Sequence, residues 1–341
     1  MDVIASTAFG VNVDSNNNPD DPFVKNAEKF ISVTLTSPVF MILFFLPFLI
    51  KPLGRMFGLS VMDWENQIFF RDVVVREINK RTTQRTDYVD FLQLMMEAHQ
   101  DVDITGDTKQ RKISLTTSEI IANSLIFFFA GYETTATALS LLAYRVALNQ
   151  EIQDRIFQEI DEKLQGEKPN YDNVQELEYL DMCINETLRM YPPAARFDRT
   201  CTHDTEICGI PIQKGLNVFV PVYAIHHCSD YWKDPEEFDP ERFSPENKRT
   251  INPLHFLPFG YGPRNCLGMR LALLEIKIAF ARIIQDLKFS AGKNTKVRYL
   301  CRFVFLYELC IPILSLIILQ IFCMNCLSNF YTIHVILLNC A

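Results

Sequence analysis

The stretch FGYGPRNCLG, residues 259–268, places one cysteine among three glycines and one arginine, directly before an apolar segment with helical spacing. This position puts Cys266 at the start of a helix, where free N–H groups and the positive end of the helix dipole favour an anionic thiolate. A thiolate serves either as a nucleophile or as a ligand to a soft metal. The local sequence offers a nucleophile no histidine base closer than His255.

The rest of this stretch indicates a bulky ligand. Gly260, Gly262 and Gly268 permit positive φ and let a planar group lie against bare backbone. Arg264, two residues before the cysteine, is placed to reach an anionic group on such a ligand. The glycine spacing does not match a dinucleotide-binding fingerprint. The stretch therefore predicts a thiolate beside a bulky anionic ligand.

A second group of polar residues, AGYETT at residues 130–135, lies in the middle of an apolar helical segment. Gly131 costs about 1 kcal/mol relative to alanine in a helix, so its presence predicts a close approach to the backbone. A buried carboxylate at Glu133 and a buried hydroxyl at Thr134 must be hydrogen-bonded or functional. The alternative is that Thr134 bonds back to the carbonyl four residues earlier and only bends the helix.

A third group is charged. In ETLR, residues 186–189, the spacing places Glu186 and Arg189 on one helical face, and Arg242 in PERF is a candidate third partner. Most such pairs are solvated on helix surfaces, but this one directly precedes MYPP, where the chain turns inward. A buried Arg-Glu-Arg triad would fix geometry more than it adds stability.

The elements that position these residues are mostly helical, so the fold class is predicted to be mainly α. SLTTSE has the residues of a capping box and predicts the start of a helix over residues 114–149, about 50 Å long. Because residues 125–130 are apolar on every side, this helix is expected to cross the centre of the core. Further helices are predicted over residues 61–85, 87–100, 151–165, up to residue 190, and 267–289. Short strands are expected at residues 205–212 and 217–221, separated by a Lys-Gly turn.

Composition bounds the function. Hydrophobic residues at 48% and charged residues at 22% are typical of a globular protein with a large core. A net charge of −8 without a basic stripe argues against nucleic acid as a partner. The ten cysteines are irregularly spaced and predict free thiols in a reducing compartment. Cys323 and Cys326 have C-x-x-C spacing, but without a second pair they do not favour a zinc site.

Taken together, these motifs resemble the cytochrome P450 family. The pattern F-x-x-G-x-R-x-C-x-G, met at residues 259–268, resembles the family's haem-binding loop. AGYET resembles its oxygen-activation segment, ETLR its E-x-x-R pair and PERF its partner arginine motif, all in family order. The resemblance covers roughly residues 1–290 and implies a helix-rich P450 fold with small β-sheets. It looks most like the microsomal branch that oxidises drugs and steroids and includes thromboxane synthase.

The resemblance implies the cofactor and its ligands. The cofactor is expected to be haem b, with Cys266 as the thiolate on the iron. Phe259 is expected beside the thiolate and the porphyrin. Arg264 and Arg199 are expected to pair with the haem propionates.

The resemblance also implies roles on the other side of the ring. Thr134 and Glu133 are expected to deliver protons during oxygen activation, and Ala130 to leave room for oxygen and substrate. The remaining motif residues are expected to hold the fold instead of doing chemistry: Glu186, Arg189 and Arg242.

The implied reaction inserts one oxygen atom into a lipophilic substrate, a steroid, fatty acid or xenobiotic. Electrons are expected from NADPH through cytochrome P450 reductase, with cytochrome b5 as an optional second donor. The expected location is the cytosolic face of the endoplasmic reticulum membrane. Apolar runs at residues 39–48 and 125–129 are expected to line a large pocket. The first of these runs also fits a buried core helix or a segment that dips into one leaflet.

Departures from the family pattern leave alternatives open. Residues 1–294 are expected to form a partial haem domain without the membrane anchor and first helices, and residues 295–341 an apolar tail outside the family. Residues 303–324 are long enough to span a membrane, but read-through of non-coding sequence is the competing interpretation. The whole chain is then either an active monooxygenase or a truncated, inactive isoform or incomplete gene model that binds haem weakly or not at all. A haem-binding membrane protein without turnover fits the same motifs.

Overall fold

A computed structural model of the chain describes residues 1–36, 64–84, 90–100, 115–292, 295, 298–300 and 308–310. The described residues divide into two units, the first running to Tyr132 and the second starting at Glu133. Two features singled out in the sequence lie outside them: residues 39–48 and the cysteine pair at 323 and 326. Of the membrane-length segment 303–324, only Glu308–Cys310 is described, and it is a strand.

The described part of the chain is mainly α-helical, as predicted. The longer helices are α1 (Asp2–Phe9), α2 (Pro22–Thr36), α3 (Trp64–Thr83), α4 (Phe91–Gln100), α5 (Thr117–Leu148), α6 (Gln150–Leu164), α7 (Glu178–Met190) and α10 (Met269–Asp286). Short helices are α8 (Val222–His226) and α9 (Pro245–Lys248), with 3-10 turns at Asn173–Glu176 and Pro240–Phe243. The strands are β1 (Phe197–Thr200), β2 (Thr205–Ile207), β3 (Ile210–Ile212), β4 (Asn217–Val220), β5 (Arg298–Leu300) and β6 (Glu308–Cys310).

The long helix α5 begins where the sequence predicts. The Thr116 hydroxyl accepts a hydrogen bond from the Glu119 N–H at 3.3 Å, and the Glu119 carboxylate accepts from the Thr116 N–H at 2.8 Å. This reciprocal pair is a capping box, which satisfies two N–H groups at the helix start. Among the described helices, α5 is also the one long and apolar enough to cross a membrane, a test that core helices of soluble proteins pass as well.

The expectation that this helix crosses the centre of the core at residues 125–130 holds for only one of its faces. Phe128 is buried, but Ile126 on the opposite face is 62% exposed and Ala130, one turn later, is exposed too. The phenylalanines of this run contact other rings of the first unit. Phe128 lies 5.0 Å from Phe23 between ring centroids, and Phe127 lies 4.0 Å from Phe91. These rings therefore fill the core of that unit, while Ile126 and Ala130 are the exposed residues of the run.

The core of the second unit is formed by α6, α7, α10 and the C-terminal half of α5. Apolar residues at helical spacing on these four helices pack together, for example Leu142, Ile156, Leu180 and Phe280. Asn149 caps α6 by accepting from the N–H of Ile152 at 3.3 Å. Two of the motifs lie on or directly beside these helices: ETLR on α7, and residues 259–268, the cysteine loop, directly before α10.

The predicted strand at residues 205–212 is instead a hairpin. Its strands β2 and β3 are antiparallel and joined by Cys208 and Gly209, with φ of 50° and 79°. Two consecutive residues with positive φ are typical of a tight hairpin turn whose twist matches the strands. Strand β4 does not pair with β3 across the Lys-Gly turn; it pairs with β1, with Arg199 opposite Val218.

Candidate functional site

The cysteine loop, residues 259–268, lies between α9 and α10, and a backbone hydrogen bond joins its start to its cysteine. The Cys266 N–H donates to the carbonyl of Phe259 at 2.8 Å, and Gly260 and Gly262 adopt φ of 71° and 82°. Helix α10 starts at Met269, three residues after the cysteine, and no side chain of the described residues caps it. Its first N–H groups are thus available to the loop, and with the helix dipole they favour an anion there.

The loop is shaped to take a planar, largely apolar group on a thiolate. Cys266 is exposed, Leu267 beside it is 74% exposed, and a Cβ at Gly262 or Gly268 would meet no atom within 4 Å. Phe259, at the start of the loop, is half-buried against the core of the second unit. An exposed cationic side chain, Arg264, stands in the same loop. A soft donor, open backbone and a nearby cation are what a haem with its propionates requires, so these residues fit the implied cofactor.

The predicted Glu-Arg pair is fully buried at the end of α7. Both side chains have 0% exposure, and two hydrogen bonds of 2.7 and 2.8 Å join the guanidinium of Arg189 to the carboxylate of Glu186. Arg242 completes the predicted cluster, with Nε 3.4 Å from Glu186 Oε1. Within the described part of the chain this Nε has no aligned hydrogen bond, so the contact is ionic, while Nη2 donates to the carbonyl of Asp234 at 2.9 Å.

Arg189 also binds backbone that comes from later in the chain. Its guanidinium donates to the carbonyls of His226 at 2.8 Å, Pro235 at 2.8 Å and Glu237 at 3.3 Å. Burial raises the pKa of Glu186, while Arg189, the N–H of Asp239 and Arg242 all act to lower it. The cluster therefore connects α7 to the segment around residues 226–242. The charge of the buried Glu186 carboxylate is stabilised by these partners, and removing one of them would leave it partly uncompensated.

The predicted residues of α5 lie on one turn of the helix. Ala130 is exposed, and Glu133 and Thr134 are half-buried. The close approach predicted at Gly131 is present within the first unit. A Cβ there would lie 2.6 Å from Cδ1 and 2.9 Å from Cγ1 of Ile4 on α1. The close approach that the glycine allows is therefore made by the side chain of Ile4.

Replacing Gly131 with alanine is expected to destabilise the protein by up to about 2 kcal/mol. The added methyl group forces the buried Ile4 to move, at about 1–3 kcal/mol, and the gain in helix propensity of about 1 kcal/mol offsets only part of this. Urea unfolding of the variant measures the loss. Ile4→Val in the same chain removes Cδ1 and should restore part of it; equal losses with and without Ile4→Val would contradict the contact as the cause.

The last predicted residue, Arg199, lies on β1. It is exposed, donates to the carbonyl of Asp198 at 2.7 Å, and its guanidinium carbon is 5.0 Å from the ring centroid of Phe197. The structure thus brings together two sets of predicted residues: Glu186, Arg189 and Arg242 in the buried cluster, and Phe259, Arg264 and Cys266 in the cysteine loop. The others lie on separate elements, Ala130, Glu133 and Thr134 on α5 and Arg199 on β1.

Sequence reasoning missed His226, the last residue of α8. It is fully buried and accepts a hydrogen bond from the Leu257 N–H at 2.8 Å, just before the cysteine loop. Its other ring nitrogen lies 3.0 Å from the carbonyl of Arg189. The sequence signal was the pair of histidines at 226 and 227, which alone does not distinguish a buried ring from an exposed one.

The stability of the protein is expected to fall in mild acid because of His226. Burial lowers the pKa of this histidine to about 4, whereas an unfolded chain titrates near about 6.5. Between these values only the unfolded chain binds the proton, so the free energy of unfolding falls by about 3 kcal/mol from about pH 6.5 to about pH 4. Urea midpoints measured across this range should drop less in His226→Gln; an identical drop in both proteins would contradict the assignment.

The chain is similar to a known protein family over most of its length. The family described as cytochrome P450 matches residues 1–307, which include both the cluster on α7 and the cysteine loop. Cytochrome P450 3A11 of Mus musculus is 46% identical over 299 residues, which are 87% of this chain and 58% of that protein. Cytochrome P450 3A29 of Sus scrofa and cytochrome P450 3A2 of Rattus norvegicus are 45% and 46% identical over the same shares. The chain therefore spans 58% of the length of each of these relatives.

Proposed function

Because the chain belongs to the cytochrome P450 family, we propose that it works as a haem-thiolate monooxygenase that inserts one atom of O2 into a lipophilic substrate. The substrate class is a steroid, fatty acid or xenobiotic. The family implies haem b with a cysteine thiolate ligand, and Cys266 is the residue of the motif. The observation that carries the proposal is the open, glycine-lined loop that presents this cysteine in front of an uncapped helix.

The residues around the cysteine hold the cofactor in this proposal. Haem bound through a thiolate supplies an electron-rich iron centre that favours cleavage of the O–O bond. In this proposal Cys266 would bind the iron, Arg264 and Arg199 would bind the propionates, and Phe259 would pack beside the thiolate and the porphyrin. The buried cluster of Glu186, Arg189 and Arg242 holds the backbone on which the loop rests.

In this proposal residues of α5 leave space for substrate and oxygen and deliver protons. Ala130 and Ile126 lie one turn apart and are exposed apolar side chains, which suits a face that receives a lipophilic substrate. Glu133 and Thr134 are half-buried on the next turn, where a carboxylate and a hydroxyl can pass protons toward the reacting oxygen. Small size at Ala130 leaves space for substrate.

The partners follow from the chemistry. Monooxygenation consumes two electrons, which NADPH supplies through cytochrome P450 reductase, with cytochrome b5 as an optional second donor. We place the protein at the cytosolic face of the endoplasmic reticulum membrane. The similarity to the 3A proteins supports this microsomal, drug- and steroid-oxidising type.

The experiment that tests the proposal is spectroscopy of the full chain reconstituted with haem. The ferrous–carbonyl complex is expected to absorb at the position of a thiolate-bound haem, and Cys266→Ala is expected to abolish this band. Cys208→Ala removes another exposed cysteine and serves as the matched control, which should keep the band. A wild-type chain that takes up no haem would overturn the proposal in favour of the alternative, a chain without catalytic activity.

A further inference from the structure

His226 and Arg189 bind each other reciprocally. The side chain of Arg189 donates to the carbonyl of His226 at 2.8 Å, and Nδ1 of His226 lies 3.0 Å from the carbonyl of Arg189. The imidazole is buried and its centroid lies 5.5 Å from that of Phe256, with the rings 27° apart. The ring is therefore fixed both along its edge and across its face.

The partners of the ring determine its tautomer. Nε2 lies 2.8 Å from the backbone nitrogen of Leu257, which can only donate. Nε2 must then be the bare acceptor, and Nδ1 carries the proton that it donates to the carbonyl of Arg189. A neutral ring with one defined tautomer satisfies both bonds. Burial and the neighbouring charge of Arg189 both disfavour a second proton on this ring.

The hydrogen bond from the Leu257 N–H to His226 connects the ring to the backbone that enters the cysteine loop. Leu257 is buried two residues before Phe259, and the carbonyl of Phe259 accepts the N–H of Cys266 at 2.8 Å. A continuous series of contacts thus runs from Glu186 through Arg189 and His226 to the backbone that enters the loop. The carboxylate and guanidinium at its start are fully buried and joined by two hydrogen bonds.

We propose that His226 is a positioning residue that sets the place of the cysteine loop by accepting the N–H of Leu257, and so transmits the fixed geometry of the Glu186–Arg189 pair to Cys266. The inference rests on the proposed function, since the loop it positions is the one that binds haem there. His226 itself touches neither cofactor nor substrate in this role.

Two substitutions separate the two bonds of the ring. Glutamine places an acceptor oxygen near the position of Nε2 and keeps the bond to Leu257, while asparagine places a donor near Nδ1 and loses it. In the full chain, His226→Asn is expected to speed hydrogen exchange at the Leu257 amide by roughly tenfold or more, because that N–H loses its buried acceptor. His226→Gln is expected to stay within about twofold of the wild type. The thiolate-type ferrous–carbonyl band should follow the same order.

The neighbouring histidine supplies the control. His227 also bonds through Nδ1 to a carbonyl, that of Tyr223 at 3.0 Å, but it is more exposed, and among the described residues its ring has no hydrogen bond to the cysteine loop. His227→Asn and His227→Gln are expected to leave exchange at Leu257 and the carbonyl band unchanged. Equal effects of asparagine and glutamine at position 226 on both readouts would overturn the inference.

A measurement on the wild-type chain guards against variants that fail to fold. Nitrogen-15 NMR of histidine-labelled protein should show His226 with a proton on Nδ1 and none on Nε2. A proton on Nε2 would overturn the inference outright, since the ring could not then accept from Leu257. A wild-type chain without haem would instead refute the proposed function, while the tautomer and the exchange of Leu257 still decide whether the bond to the loop exists.

Discussion

Replacing Arg189 with alanine is expected to lower the free energy of unfolding by about 3–5 kcal/mol, because it leaves a buried charge without its partner. Glu186 then has lost two hydrogen bonds of 2.7 and 2.8 Å, and the carbonyls of His226, Pro235 and Glu237 have lost their donor. Arg189→Lys should recover little, since an ammonium cannot bind the carboxylate by two parallel bonds and reach these carbonyls as well.

Urea unfolding followed by circular dichroism measures this loss. Asp154→Asn is the matched control, because Asp154 forms an ion pair of 2.7 Å with Lys288 in which both side chains are exposed. Exposed pairs contribute about 0–1 kcal/mol, so this variant should unfold almost like the wild type. If Arg189→Ala cost no more than Asp154→Asn, the buried cluster would not be what holds α7 to residues 226–242.

The parts of the fold that could be predicted from the sequence are those set by local signals. The start of α5 rests on Thr116 and Glu119, three residues apart, and the helix boundaries follow apolar spacing within each segment. The hairpin at residues 205–212 differs from the single strand predicted there. The turn at Cys208 and Gly209 interrupts an otherwise continuous run of strand-forming residues. The pairing of β4 with β1 joins residues that are 17 to 23 positions apart, which no local pattern specifies.

The site could be predicted in part for the same reason. The family motifs led to Cys266, and the match over residues 1–307 confirms the resemblance to cytochrome P450 and with it the implied haem b. The cluster of Glu186, Arg189 and Arg242 was also found from motifs. The further partners of Arg189 were not, since they are carbonyls from residues 37–48 positions away, and a carbonyl carries no sequence signal. The thromboxane synthase branch and the catalytic role of each residue stay predictions.

The apolar run of α5 illustrates how tertiary contacts decide what composition leaves open. Leu125 to Ala130 are all apolar, yet the helix buries Phe128 against Phe23 and exposes Ile126. In the sequence both faces of this run consist of apolar residues. Which one enters the core depends on the rings that α2 and α3 supply, and those rings are far away in the chain.

The first unit contains a second buried charge that sequence reasoning did not find. Arg81 on α3 binds both carboxylate oxygens of Asp90, at 2.5 and 2.7 Å, and donates to the carbonyl of Phe9 at 2.7 Å. Asp90 also caps α4 by accepting from the N–H of Gln93 at 2.9 Å. The guanidinium thus joins the end of α1, the end of α3 and the start of α4. Gly10, with φ of 63°, leaves it room, because a Cβ there would lie 2.5 Å from Nη2.

Replacing Arg81 with methionine is therefore expected to lower the free energy of unfolding by about 3–5 kcal/mol, because Asp90 stays buried and unpaired. Lys80→Gln is the control, since Lys80 is exposed and 3.7 Å from Glu77, and it should cost less than about 1 kcal/mol. Adding Asp90→Asn to Arg81→Met removes the unpaired charge and keeps an N-capping side chain, so the double variant should be more stable than Arg81→Met alone. Urea midpoints that rank the double variant below the single one would contradict the charge as the cause and would point to lost packing around Arg81.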